Sequence, residues 1–170
     1  LLKYQNVFIQ SHGCAVCEKT ANNLNQEHLD YIFKDDLCNE DSFEKGERAL
    51  LRKACDAAIR KGRMHINQID CALGADLNNQ LSASHYFIRD YDIPFVGMYA
   101  ACASSALLCN QGAMMIDAKQ CQNILLFTSS NYAVASRQFR YPNTYGEQKK
   151  NSATTTVSGA GALFLSNQQT

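Results

Sequence analysis

From residue 93 to residue 116 the chain carries no charged side chain, although charged residues make up 19% of the whole. Such a run has to be shielded from water, either by lipid or by the rest of the protein. Pro94, Gly97, the Ser104-Ser105 pair and Asn110-Gln-Gly112 interrupt it too often for a membrane-spanning helix. A strand over residues 95–99 that breaks into a fully buried helix accounts for it better. Cys102 sits at the break, in Tyr99-Ala-Ala-Cys-Ala-Ser-Ser. A helix start offers free N–H groups and the positive end of the helix dipole, so this position suits a thiolate nucleophile or a bound anion.

Strand and helix patterns alternate around that junction. Residues 7–10 read as a short strand, and residues 11–41 show no clear period. Asp41 and Glu44 have capping-box spacing ahead of Phe43, Leu50, Leu51, Ala54, Ala57 and Ala58, which predicts an amphipathic helix over 42–61. A buried strand over 69–74 leads into the polar loop Ala75-Asp-Leu-Asn-Asn-Gln80, followed by a helix over 82–91. Another buried strand begins at Asn123 and ends in Thr128-Ser-Ser130, and the last strand spans 162–166. Alternation of this kind predicts an α/β domain over residues 1–170 with a mainly parallel sheet, and ligands gather at the carboxyl ends of such strands.

Sixteen basic residues balance sixteen acidic ones, which argues against a nucleic-acid surface and leaves small molecules or proteins as partners. Leu1-Leu-Lys-Tyr has neither a basic n-region nor an apolar h-region, and reads as part of a chain without a signal peptide. Of the eight cysteines, Cys55, Cys71, Cys109 and Cys121 fall in apolar or periodic runs, which suggests buried free thiols in a reducing compartment. His12-Gly-Cys14-Ala-Val-Cys17 has a chelating spacing, but no second Cys-x-x-Cys accompanies it. Two ordinary loop thiols are the simpler expectation, with Cys38 a distant fourth ligand, and no metal or other cofactor is expected.

Cys102-Ala-Ser at a strand-to-helix junction, followed by Val157-Ser-Gly-Ala-Gly-Ala162 before the closing strand, resembles the thiolase superfamily, which includes ketoacyl synthases. Within it, the chain is similar to the stage V sporulation protein AD family. That likeness is carried by Gly74-Ala-Asp-Leu-Asn-Asn-Gln80, Ala113-Met-Met-Ile-Asp117, Thr128-Ser-Ser130, Arg137-Gln-Phe-Arg-Tyr-Pro142 and Tyr145-Gly146. The resemblance implies a thiolase-like fold of twice this length with two pseudo-symmetric halves, of which this chain is the amino-terminal one, with a buried central helix. It also implies a sporulation protein that binds dipicolinic acid, alone or as a calcium chelate. Other spore membrane channel proteins are the implied partners, in a homodimer peripheral to the spore inner membrane on the cytoplasmic or forespore side. Asn131 and Ser136 stand where the family pattern has His and Glu.

The candidate ligand-binding residues are Asp76, Asn79, Cys102, Ser130 and Asn131. Asp76 would repel a bare dicarboxylate, and it serves equally well as a cap for the helix that follows. Cys102 either shapes a pocket or, in an acyltransferase, carries an acyl group with help from His or Asn partners. None of His12, His28, His65 or His85 lies in a recognisable partner motif. Arg137, Arg140 and Tyr141 are candidates for a subunit interface or for anion binding, the aromatic interleaving favouring the interface. A scaffold that binds only its membrane partners is the third reading.

Overall fold

Six strands form one sheet: β1 (Phe8–Cys17), β2 (Tyr31–Phe33), β3 (Cys71–Asp76), β4 (Phe95–Gly97), β5 (Asn123–Ser130) and β6 (Gly159–Ser166). The computed structural model describes residues 3–139 and 156–169. The strand order is β2-β1-β6-β5-β3-β4. β3 runs parallel to β4 and β5, and β1 parallel to β2, while β6 is antiparallel to both its neighbours. The helices are α1 (Glu18–Ala21), α2 (Phe43–Lys61), α3 (Ser82–Ile88), α4 (Ser104–Asp117) and α5 (Tyr132–Phe139). None of those described is long and apolar enough to cross a membrane.

Alternation along the strands sorts the core into two layers. Leu125, Phe127, Ala72 and Phe164 meet α2 and α3, where Leu50, Leu51, Ala54 and Phe87 complete the layer. Ile124, Leu126, Leu73 and Leu165 face the other way, onto Leu108 and Ile116 of α4. Each large side chain removed from water in this manner contributes about 1.5–3 kcal/mol. The first layer is thin at one point because α2 lies almost on β1. A Cβ on Gly13 would stand 1.9 Å from the Ala54 carbonyl oxygen, so only glycine opposite alanine permits that approach. Phe127 likewise stacks parallel to Phe95 across Gly74, where a Cβ would enter the Phe127 ring.

Several boundaries differ from expectation. β1 continues through Ser11–Cys17, where small polar residues hid a strand covered by α2. β3 starts and ends two residues later than its apolar run suggested, and α3 stops at Ile88. Helix α2 is capped by Ser42, whose Oγ accepts from the Lys45 N–H at 3.3 Å, in place of the expected Asp41–Glu44 box. Asp41 instead pairs with the Lys45 ammonium at 2.7 Å, and Glu44 with Arg137. Helix α4, uncharged up to its last residue Asp117, is buried along one stripe, Ser104, Leu108, Gly112 and Ile116, which lies on the sheet. Its other side, with Ser105, Ala106 and Met114, is open in this chain, and beside it a cavity of about 190 Å³ lies over β1, β5 and β6.

Candidate functional site at the strand ends

The carboxyl ends of β3, β4 and β5 converge, with Asp76 opposite Ser129 in the β3–β5 register. Asp76 is 1% exposed and bound by three donors of α3: the N–H groups of Ala83 (2.8 Å) and Ser84 (3.0 Å) and the Ser84 hydroxyl. The local sequence explains why. The N-cap residue of α3 is Leu81, in a left-handed conformation (φ 53°) and without a side-chain oxygen to offer its helix. Asp76 reaches across from β3 and takes the acceptor role that a Ser or Asp N-cap normally fills. Burial still raises its carboxyl above the ordinary range, and the donors from Ser84 and Ala83 offset part of that rise.

A second acid stands behind it. Glu47 of α2 is 3% exposed and accepts from the Ser129 hydroxyl at 2.8 Å. Burial first, then the neighbouring Asp76 charge, pushes its carboxyl up to about 8, so Glu47 is protonated at neutral pH. Sequence reasoning passed over Glu47. Its signal was the position: an acid three and four residues before Leu50 and Leu51, on the apolar stripe of the helix.

Asn131 follows β5 and is fully buried. Its amide donates to the Asp36 carbonyl at 2.8 Å, and its side-chain oxygen accepts from the Ala133 N–H at 3.0 Å, starting α5. Ser130 is half-buried and donates to the Val157 carbonyl at 2.5 Å, tying the end of β5 to the segment before β6. Asn79 is exposed in the loop after β3, and its N–H donates to the Gln138 side chain at 3.1 Å. The Gln138 amide in turn donates to the Tyr99 hydroxyl at 3.3 Å. Tyr99 and Gln138 thus join the loops of β3 and β4 to α5. Partners 39 and 59 residues apart leave no local trace in a sequence.

Cys102 is exposed and lies in a 3-10 turn, Ala101–Ala103, immediately before α4. The turn is an elbow: Ala101 has φ 45°, the Ala103 N–H bonds the Ala100 carbonyl, and the Ser104 hydroxyl accepts from the Ala100 N–H at 3.2 Å. No histidine among the described residues hydrogen-bonds Cys102, and His85 packs edge-on against Phe95 instead. Arg137 is held by Glu44, while Arg140 and Tyr141 lie outside the described residues.

Cys14 and Cys17 both belong to β1, not to a loop, and three positions along a strand place side chains on opposite faces. They cannot chelate together as a local pair. Among the described residues no group of three His, Cys, Asp or Glu side chains is placed to hold a metal ion.

Comparison with known proteins agrees with this geometry. Residues 2–170 match the family described as Stage V sporulation protein AD (SpoVAD). The chain is 36% identical over 160 residues to stage V sporulation protein AD of Bacillus subtilis strain 168, covering 94% of this chain and 47% of that protein. It therefore spans about half the length of the curated relative it matches. Among solved structures, the fold is similar to 3-oxoacyl-[acyl-carrier-protein] synthase III from Aquifex aeolicus VF5 (TM-score 0.63, 11% identity, 96% of this chain and 55% of that one). It is also similar to OleA E117D from Xanthomonas campestris (TM-score 0.66, 12% identity, 97% and 59%). At those identities the likeness establishes the thiolase-like fold. Family and fold agree, and the chain belongs to the stage V sporulation protein AD family.

Proposed function

We propose that the strand ends form part of a binding site for dipicolinic acid, pyridine-2,6-dicarboxylate, in a sporulation protein that handles this ligand without acylating itself. The observation that carries the reading is the disposition of Asp76. A free carboxylate there would repel a dianion, but all three donors of the α3 start engage it inside the fold. What these loops present towards solvent are the amides of Asn79 and Gln138 and the hydroxyl of Tyr99, with Cys102 exposed on the elbow before α4. Neutral donors suit a carboxylate ligand, and a calcium chelate, already neutralised, fits the same surface. Asp76 and Asn131 shape the site by fixing the loops, and Cys102 supplies its wall. The rest of the protein completes the pocket and, through Arg137, Arg140 and Tyr141, a homodimer. Spore membrane channel proteins are the partners, with the protein at the inner membrane on the cytoplasmic or forespore side.

The second reading is an acyltransferase. Its support is the exposed Cys102 on an elbow at a helix start, within a fold shared with condensing enzymes. That chemistry needs a base to take the thiol proton, and the rest of the protein would have to supply it. Calorimetric titration of the full-length protein with dipicolinate, with and without calcium, tests the first reading. Saturable binding is expected; no heat with either form of the ligand would refute it.

A further inference from the structure

Cys17, the last residue of β1, and Cys38, in the turn after β2, hold their sulfurs 3.6 Å apart. Both are buried, at 1% and 3% exposure, and both thiols reach one acceptor, the Asp35 carbonyl, at 3.2 and 3.5 Å. The backbone is bent to bring Cys38 there, since Cys38 and Asn39 are both left-handed, with φ 54° and 64°. We propose that Cys17 and Cys38 form a redox modification site, a dithiol that a peroxide closes into a disulfide.

The step balances. Peroxide oxygen transfers to one sulfur, giving a sulfenic acid and one water, and the second thiol displaces the hydroxyl as another water while the S–S bond forms. Two electrons leave the sulfurs and reduce one peroxide to two waters. A cavity of about 160 Å³ lined by Asp36 and Ser158 lies next to the pair, and the Ser158 carbonyl accepts from the Cys17 N–H at 3.1 Å. The hydrogen bond shared with Cys38 and then burial hold the Cys17 thiol above its ordinary range, which keeps it protonated and makes closure slow.

Closure would draw the sulfurs from 3.6 Å to about 2 Å and pull the turn of Asp35 to Cys38 towards β1. That turn carries the Asp36 carbonyl, the acceptor for the Asn131 amide. The oxidation state of the pair is thereby coupled to the residue that starts α5 at the strand-end site.

The test treats the full-length protein with hydrogen peroxide, alkylates remaining thiols under denaturing conditions and maps tryptic peptides by mass spectrometry. The expected product joins residues 4–19, which hold both Cys14 and Cys17, to residues 35–45, with loss of two hydrogens. Cys14→Ser leaves this link intact, and Cys17→Ser or Cys38→Ser abolishes it. Unlinked peptides after oxidation, or a link lost in Cys14→Ser, would overturn the assignment. The Cys14→Ser map decides the matter even where a core variant fails to fold. Amide exchange at Ala133, whose N–H rests on Asn131, is expected to change several-fold on oxidation, and unchanged exchange in the linked protein would refute the coupling.

Discussion

Glu47→Gln tests the buried acid pair behind the strand ends. The folded carboxyl holds its proton up to about 8, against an ordinary 4.5. Between those values the unfolded chain binds fewer protons than the folded one, so this group's contribution is most favourable below 4.5 and is lost as pH rises through 8. With 1.36 kcal/mol per pH unit, the cost of keeping Glu47 buried grows from about 1 kcal/mol at pH 5 to about 3 kcal/mol at pH 7. Glutamine keeps the oxygen that accepts from Ser129 and has no proton to lose. Urea denaturation of the full-length protein and the variant at pH 5, 6, 7 and 8 reads the difference directly. The variant should be more stable than wild type by about 1 kcal/mol at pH 5 and by about 3 kcal/mol at pH 7. Parallel stability curves across that range would refute the placement of a neutral carboxyl beside Asp76.

Asp76→Asn swaps one acceptor oxygen for a donor facing the N–H groups of α3, and should cost about 1–3 kcal/mol in denaturant midpoint analysis. Unchanged stability with lost dipicolinate binding would make Asp76 a ligand contact instead. Gly13→Ala drives a Cβ into the Ala54 carbonyl and should cost about 3 kcal/mol or abolish folding, read as loss of the cooperative thermal transition. Arg140→Ala or Tyr141→Ala should weaken dimerisation in sedimentation more than ligand affinity; the reverse pattern would move that segment into the pocket.

Where local pattern and tertiary environment agree, the sequence was readable. Helix α2 follows its apolar spacing to within one residue, and β3, buried on both faces, stands out as an apolar run only two residues out of place. Ser11–Cys17 did not read as a strand because its burial depends on Gly13 meeting the alanines of α2, a contact made across more than forty residues. β2 is three residues on a sheet edge, too short for a period. The position of Cys102 on the turn before α4 was legible from the strand-to-helix break. For Asp76 the cap for the following helix was one of two readings, and the fold takes it, because Leu81 leaves α3 without a side-chain cap of its own. Gln138 and Tyr99 enter only through hydrogen bonds that the folded chain creates.

Cys102 decides between binding and acyl transfer, and one paired measurement on the full-length protein addresses it. Iodoacetamide labelling of Cys102 is followed with and without dipicolinate, and the protein is weighed by mass spectrometry after incubation with acetyl-CoA and longer acyl-CoA. Dipicolinate is predicted to protect Cys102 from labelling, and no acyl adduct should form. A stable acyl adduct on Cys102, with labelling indifferent to dipicolinate, would contradict the account.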